Sequence, residues 1–176
     1  MDSRVQTTAQ SSDYGSEHIK LLVVLGEGGH TRQMLNLVDL LGDDVNYYYI
    51  VPREDNLSTG HIKHAGPIYR LTRPRGKHAK IISSVMRTIL TGVESLRVLL
   101  QVRPSAIVSA GPAIAVPVSI LGKLLGVRII FVESASRVTM LSLSGRIMYR
   151  WADLFFVQWP QLAEKLPRAI YAGRLV

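Results

Sequence analysis

The stretch Leu21-Leu22-Val23-Val24-Leu25-Gly26-Glu27-Gly28-Gly29-His30-Thr31 passes from an apolar run into a glycine turn and then into a helical pattern. Residues 19–25 have the length and apolar character of a strand covered on both faces in a parallel sheet. After the turn, Met34, Leu35, Leu37, Val38 and Leu41 recur at helical spacing, and Gly42 stops the pattern. Thr31 is expected to cap this helix. Such a strand–turn–helix junction aims free backbone N–H groups and the positive end of a helix dipole at one point, which suits a phosphate or diphosphate. Gly26 and Gly28 supply the Gly-x-Gly part of a dinucleotide fingerprint, but Thr31 stands where the third glycine belongs. That argues against a nicotinamide cofactor. Two readings of the turn stand: an anion cradle formed by Gly28, Gly29, His30 and Thr31, or a tight turn that needs glycine only for positive φ. His30 is a candidate donor or base, with an ordinary pKa of about 6.5; its other reading is structural.

Working outward, the same alternation continues. Strands are expected at residues 47–51, 67–71, 106–108, 127–132, 154–157 and 170–171. Helices are expected at 81–93 with an extension to 100, at 113–125 despite Pro117, at 144–151 and at 160–166. Residues 53–66 read as loop. Strands that mostly alternate with helices specify an α/β fold: a Rossmann-like, doubly wound, mostly parallel sheet. Ligands bind such sheets beyond the C-terminal strand ends, where the turns at Gly28-Gly29-His30, Ala110-Gly111-Pro112 and Glu133-Ser134 all lie. Residues 1–18 are polar and rich in Ser, Thr and Gln, and read as a disordered segment. Residues 19–176 read as one domain.

The 176 residues carry a formal charge of +8 and no cysteine, which favours anionic partners and excludes disulfides and thiolate metal sites. No metal-ligand spacing and no Ser/His/Asp triad is present, and neither metal nor cofactor is expected. The charge-free run at 104–122 contains Pro112 and Pro117 and reads as strand, turn and buried helix rather than a membrane span. No transmembrane helix is evident.

Between Asn56 and Val93 there is no acidic residue, while Lys63, Arg70, Arg73, Arg75, Lys77, Lys80 and Arg87 are all present. Beside them runs an apolar stripe that includes Ile82 and Met86. A basic flank next to an amphipathic helix suits an anionic membrane surface; the alternative is a core helix with a solvated basic face. Lys77, Lys80, Ile82, Met86 and Arg87 are the candidate membrane contacts. No nucleic-acid motif is present, and nucleic acid is not expected as a partner. Glu133, with Ser134 and Arg137 behind it, is expected at the crevice. It would act as an acceptor of sugar hydroxyls or as a base, or else pair with Arg137. Trp159 follows a strand, placed either for stacking or for packing.

Assembled, these residues resemble a known family. Gly28-Gly29-His30-Thr31, Ser109-Ala110-Gly111-Pro112, Val132-Glu133-Ser134, Leu141-Ser142-Leu143-Ser144-Gly145-Arg146, Val157-Gln158-Trp159-Pro160 and Tyr171-Ala172-Gly173-Arg174-Leu175-Val176 carry the resemblance. The family is the small membrane-associated subunit of the two-subunit UDP-N-acetylglucosamine transferase of dolichol-linked oligosaccharide synthesis. It is similar in turn to the N-terminal half of MurG-like GT-B glycosyltransferases. The resemblance implies one half of a GT-B enzyme: a non-catalytic, acceptor-binding domain that forms a heterodimer with a catalytic subunit carrying UDP-GlcNAc. It implies a polyprenyl-diphosphate acceptor at Gly28, Gly29, His30, Thr31 and Gly111, and a cleft at Glu133, Ser134 and Arg137. Partner docking would fall on Trp159, Arg174, Leu175 and Val176. The implied location is the cytosolic face of a membrane, that of the endoplasmic reticulum in eukaryotes or the plasma membrane in prokaryotes. Ala113-Ile114-Ala115 departs from the eukaryotic pattern. That leaves a capsule or exopolysaccharide subunit acting on an undecaprenyl-linked acceptor as an alternative, beside a stand-alone nucleotide- or phosphate-binding module.

Overall fold

Seven short apolar runs become seven strands: β1 (Ile19–Val24), β2 (Val45–Pro52), β3 (Ile68–Leu71), β4 (Ala106–Ser109), β5 (Arg128–Val132), β6 (Leu154–Val157) and β7 (Ala169–Tyr171). The computed structural model describes residues 19–26, 28–74 and 81–175, with residues 81–84 described by their backbone alone. The strands form one sheet in the order β3-β2-β1-β4-β5-β6-β7. Every pairing is parallel, from Leu21 opposite both Tyr47 and Ala106 to Phe156 opposite Ile170. The expectation of a mostly parallel sheet is met by a wholly parallel one among the described residues.

Parallel strands need crossovers, and the crossovers put helices on both faces. Helix α1 (Gly29–Leu41) packs Met34, Leu35 and Val38 against Leu21, Val23, Tyr49, Val51 and Val108 on one face. Helices α2 (Ile81–Val102), α3 (Ala115–Leu124), α4 (Leu143–Trp151) and α5 (Pro160–Ala163) follow. They supply Val98, Leu99, Val118, Met148 and Leu162 to the other face, against Leu22, Ile50, Ile107, Ile129 and Phe155. Period-two alternation along each strand sends neighbouring residues to opposite clusters, as Leu21/Val23 and Leu22/Val24 show. Gly122 of α3 has its position because a Cβ there would overlap Ile107 Cδ1.

Some local expectations are corrected, and one open alternative is narrowed. Thr31 does not cap α1: the N-cap is Gly28 and no side chain caps the helix, because Thr31 lies inside its first turn. Residues 81–102 form one continuous helix instead of two stretches, and α3 begins at Ala115, which places Pro117 in its first turn, where a missing N–H costs nothing. Over residues 85–93 the apolar stripe of α2 is not core: Met86 is 63% and Val93 62% exposed, with Val85, Ile89 and Leu90 also exposed. Residues 1–18, Lys77, Lys80 and Val176 lie outside the described residues, as does the side chain of Ile82.

Candidate functional site

Strand order reverses between β1 and β4, so the helices that follow these two neighbours leave to opposite faces of the sheet, and the C-terminal edge between them is where such folds bind ligands. The turn after β1 contains Gly28 at φ 63° and ψ −125°, a conformation that favours glycine. The first bond of the α1 ladder runs from Arg32 N to Gly28 O (3.3 Å), so the amides of Gly29, His30 and Thr31 precede the ladder. Gly28 and Gly29 are exposed. The turn after β4 contains Gly111 at φ 86°. The two turns abut: a Cβ on Gly26 would lie 2.7 Å from Pro112 Cβ. His30 is half-buried, and its Nδ1 is buried with no hydrogen-bond partner among the described residues. A buried ring nitrogen left without a partner is costly.

Thr31 turns inward. Its hydroxyl donates to Gly26 O (2.5 Å) and meets Ser58 Oγ (2.9 Å). Ser58 in turn donates to Asp55 Oδ2 (2.5 Å), while Asp55 Oδ1 accepts from the amides of Leu57 and Ser58. Burial pushes the Asp55 carboxyl up, but the hydroxyl and amide of Ser58, the amide of Leu57 and the nearby Arg70 charge outweigh it and hold it below its ordinary value. Thr31 therefore fixes the glycine turn to the β2–β3 loop, and its side chain is not presented to the crevice.

Glu133 is fully buried at the end of β5. Its Oε1 accepts from Ser134 N (2.9 Å), and its Oε2 accepts from the amide (3.0 Å) and hydroxyl (3.1 Å) of Ser142. Ser142 is the N-cap of α4 and accepts from Gly145 N at 2.9 Å. The carboxylate thus anchors the start of α4, and neither oxygen pairs with Arg137, which is exposed. Ser134 is buried and its hydroxyl meets Ser136 (3.0 Å).

The 172–175 segment lies across the ends of β5 and β6. Leu175 N donates to Gln158 Oε1 (2.8 Å), and Leu175 O accepts from Asn36 (3.0 Å). The Arg174 guanidinium stacks over the Trp159 ring at 4.6 Å, and Trp159 Nε1 donates to Ala135 O (2.6 Å). Between this segment and α1 runs an apolar groove of about 410 Å³, floored by Val108, Ile130 and Phe156 and walled by Leu37, Leu40 and Leu41. A second cavity of about 530 Å³ opens from Gly28 along α1 past Arg32 and His61. The structure brings Gly28, Gly29, His30 and Gly111 to one crevice, and joins Trp159, Arg174 and Leu175 in one cluster. Met86 and Arg87 sit exposed on α2. The sequence reading assigns no individual site role to Asp55, Ser58, Gln33, Gln158 or the Ser142 cap, although Gln158 and Ser142 fall within the motifs it quotes. Only the last had a local signal, a serine opening a helical pattern.

A family model described as "Oligosaccharide biosynthesis protein Alg14 like" matches residues 21–175. The chain belongs to the Alg14 family. Among its relatives, the UDP-N-acetylglucosamine transferase subunit ALG14 of Mus musculus is 33% identical over 91% of this chain and 84% of its own length. The subunit of the same name from Schizosaccharomyces pombe is 37% identical over 87% of this chain and 81% of its own length. Solved structures confirm the fold. MurG from Acinetobacter baumannii superposes with a TM-score of 0.67 at 16% identity, over 82% of this Alg14-family chain and 42% of MurG. A UDP-GlcNAc 2-epimerase from Neisseria meningitidis bound to UDP-GlcNAc gives 0.67 at 11% identity, over 89% and 46%. The Alg14-family chain therefore spans less than half of each of these structures and matches a single Rossmann-like unit within them.

Proposed function

We propose that this chain is the non-catalytic, acceptor-binding subunit of a UDP-N-acetylglucosamine transferase of dolichol-linked oligosaccharide synthesis. A separate catalytic subunit supplies UDP-GlcNAc. The observation that carries the reading is the family match. Curated relatives named as transferase subunits match this chain over most of their own length, with 84% of the mouse subunit covered. The geometry supports the acceptor side of the assignment. The free amides of Gly29 and His30 at the start of α1, with the Gly111 turn near by, suit a diphosphate favoured by the α1 dipole, and the unpartnered His30 Nδ1 lies in the same turn. His30 donates to a phosphate oxygen there, while Glu133, held by Ser142, positions the loop on the far side. The Trp159–Arg174–Leu175 cluster, Val176 and the adjoining apolar groove receive the catalytic subunit.

The exposed face of α2, with Met86 and Arg87 and the basic residues Lys77 and Lys80 before it, rests on the cytosolic surface of the membrane that carries the acceptor lipid. Each basic residue near an anionic surface contributes about 1 kcal/mol. No helix among the described residues is long and apolar enough to cross a membrane. The test is reconstitution. Transfer of GlcNAc to a polyprenyl-diphosphate-linked acceptor is expected only when this chain and a catalytic subunit are mixed. Transfer by either chain alone overturns the division of labour.

A further inference from the structure

We propose that Gln158 is a positioning residue that couples the 172–175 segment to the Glu133-Ser134-Ala135 loop and to α1, so that docking of the catalytic subunit adjusts the acceptor crevice. The inference rests on the reading of that crevice as the acceptor site. Gln158 is 2% and Gln33 5% exposed, yet the two amides lie 125 residues apart in the chain and meet at 2.6 Å, Gln158 Nε2 donating to Gln33 Oε1. The same Nε2 donates to Glu133 O (2.9 Å), and Gln158 Oε1 accepts from Leu175 N (2.8 Å). Gln33 Oε1 also accepts from Ala135 N at 3.2 Å. One side chain thus holds the loop after β5, α1 and the segment after β7 at once. His30 sits on α1 one turn before Gln33.

The next residue doubles the tie. Trp159 Nε1 holds Ala135 O at 2.6 Å while Arg174 covers its ring. Filling this volume needs only aliphatic side chains. Burying a connected amide pair is favourable only when every polar atom is satisfied, and a satisfied network fixes one arrangement of the elements that enter it. A shift of Leu175 on docking pulls on Gln158 Oε1, and the opposite end of the same amide holds the carbonyl of Glu133 and, through Gln33, the amide of Ala135. The catalytic subunit docked at the segment therefore stiffens the loop that borders the crevice.

The test is amide hydrogen exchange on the full chain, with and without the catalytic subunit, for wild type, Gln158→Leu and Gln33→Met. In wild type the subunit slows exchange at both Leu175 and Ala135. In Gln158→Leu and Gln33→Met it slows Leu175 alone. The assembled enzyme then shows an acceptor KM raised about five- to tenfold, the scale of a typical coupling, with the UDP-GlcNAc KM unchanged. Protection of Ala135 that persists in both disrupting variants, or is missing in wild type, overturns the coupling whatever the crevice binds. A disrupting variant that merely melts earlier, with an unaltered acceptor KM, shows a structural amide and also overturns it. Failure of the crevice reading is registered separately, by unchanged acceptor use in His30→Ala.

Discussion

Replacing Gly145 by Ala gives the sharpest test of how the crevice loop is built. On helix propensity alone the exchange would stabilise α4 by about 1 kcal/mol. The structure predicts the opposite sign. A Cβ at this position would overlap Glu133 Oε2 and lie 2.9 Å from Glu133 Cδ and 3.1 Å from Ser142 Oγ. Glu133 is fully buried and cannot swing into solvent without abandoning the amide and hydroxyl of Ser142. If the helix start moves instead, the Ser142 cap on Gly145 N is lost. A lost cap costs about 1 kcal/mol. A hydrogen bond to a charged group contributes about 1.5–3 kcal/mol, so losing the cap and one such bond, less the propensity gain, leaves about 1.5–3 kcal/mol of destabilisation. For a chain of this size that is a fall in melting temperature of about 3–12 °C. Thermal and urea unfolding followed by tryptophan fluorescence measure it. A Gly145→Ala protein as stable as wild type, or more so, refutes the placement of Glu133 under α4.

Four further outcomes follow from the same geometry. His30→Ala in the assembled enzyme should weaken acceptor use at least about tenfold, the scale of losing a charge-assisted hydrogen bond, while its melting temperature stays unchanged; steady-state kinetics with varied acceptor checks it. Asp55→Asn should destabilise the fold at neutral pH. Because the Asp55 carboxyl is held below its ordinary value, its contribution is complete above the unfolded pKa and is lost as pH falls through the folded one. Urea titrations from pH 7 to pH 3 should therefore show the gap between mutant and wild type closing in acid. The Tyr49 phenol, pushed up to about 12 mainly by burial, should remain protonated when exposed tyrosines ionise in an ultraviolet titration. Met86→Asp with Ile89→Asp should release the protein from anionic vesicles without lowering its melting temperature, since both side chains are more than half exposed.

Much of the fold is local in origin and was therefore legible. Residues 19–25 and 127–132 are apolar runs closed by polar or glycine turns, and they became β1 and β5 with their ends displaced by a residue. Gly42 ends α1 at φ 72° as its position after the last periodic residue implied. The stripe on α2 was legible as a stripe, but periodicity does not say which way a stripe faces. Over residues 85–93 its apolar side chains face outward, while Thr91, Ser95, Val98, Leu99 and Val102 carry the buried side of α2. The site was readable where a residue's role is set by its own turn, as at Gly28, Gly29 and Gly111. It was opaque where the role depends on a distant residue. Glu133 looked like an open carboxylate until Ser142 closed over it, and Thr31 looked like a cap, but its hydroxyl donates to Gly26 O in contact with Ser58. Gln33 and Gln158 carry no local signal, because their meaning lies in each other.

The central claim is that the turn at Gly28-Gly29-His30 receives the acceptor's diphosphate. Its most direct test is an amide chemical-shift titration of the full chain with a short-chain prenyl-diphosphate-linked GlcNAc. Shifts centred on Gly28, Gly29, His30 and Gly111, with little response to UDP-GlcNAc, are the predicted result. A response of these amides to UDP-GlcNAc and not to the lipid-linked sugar would contradict the account.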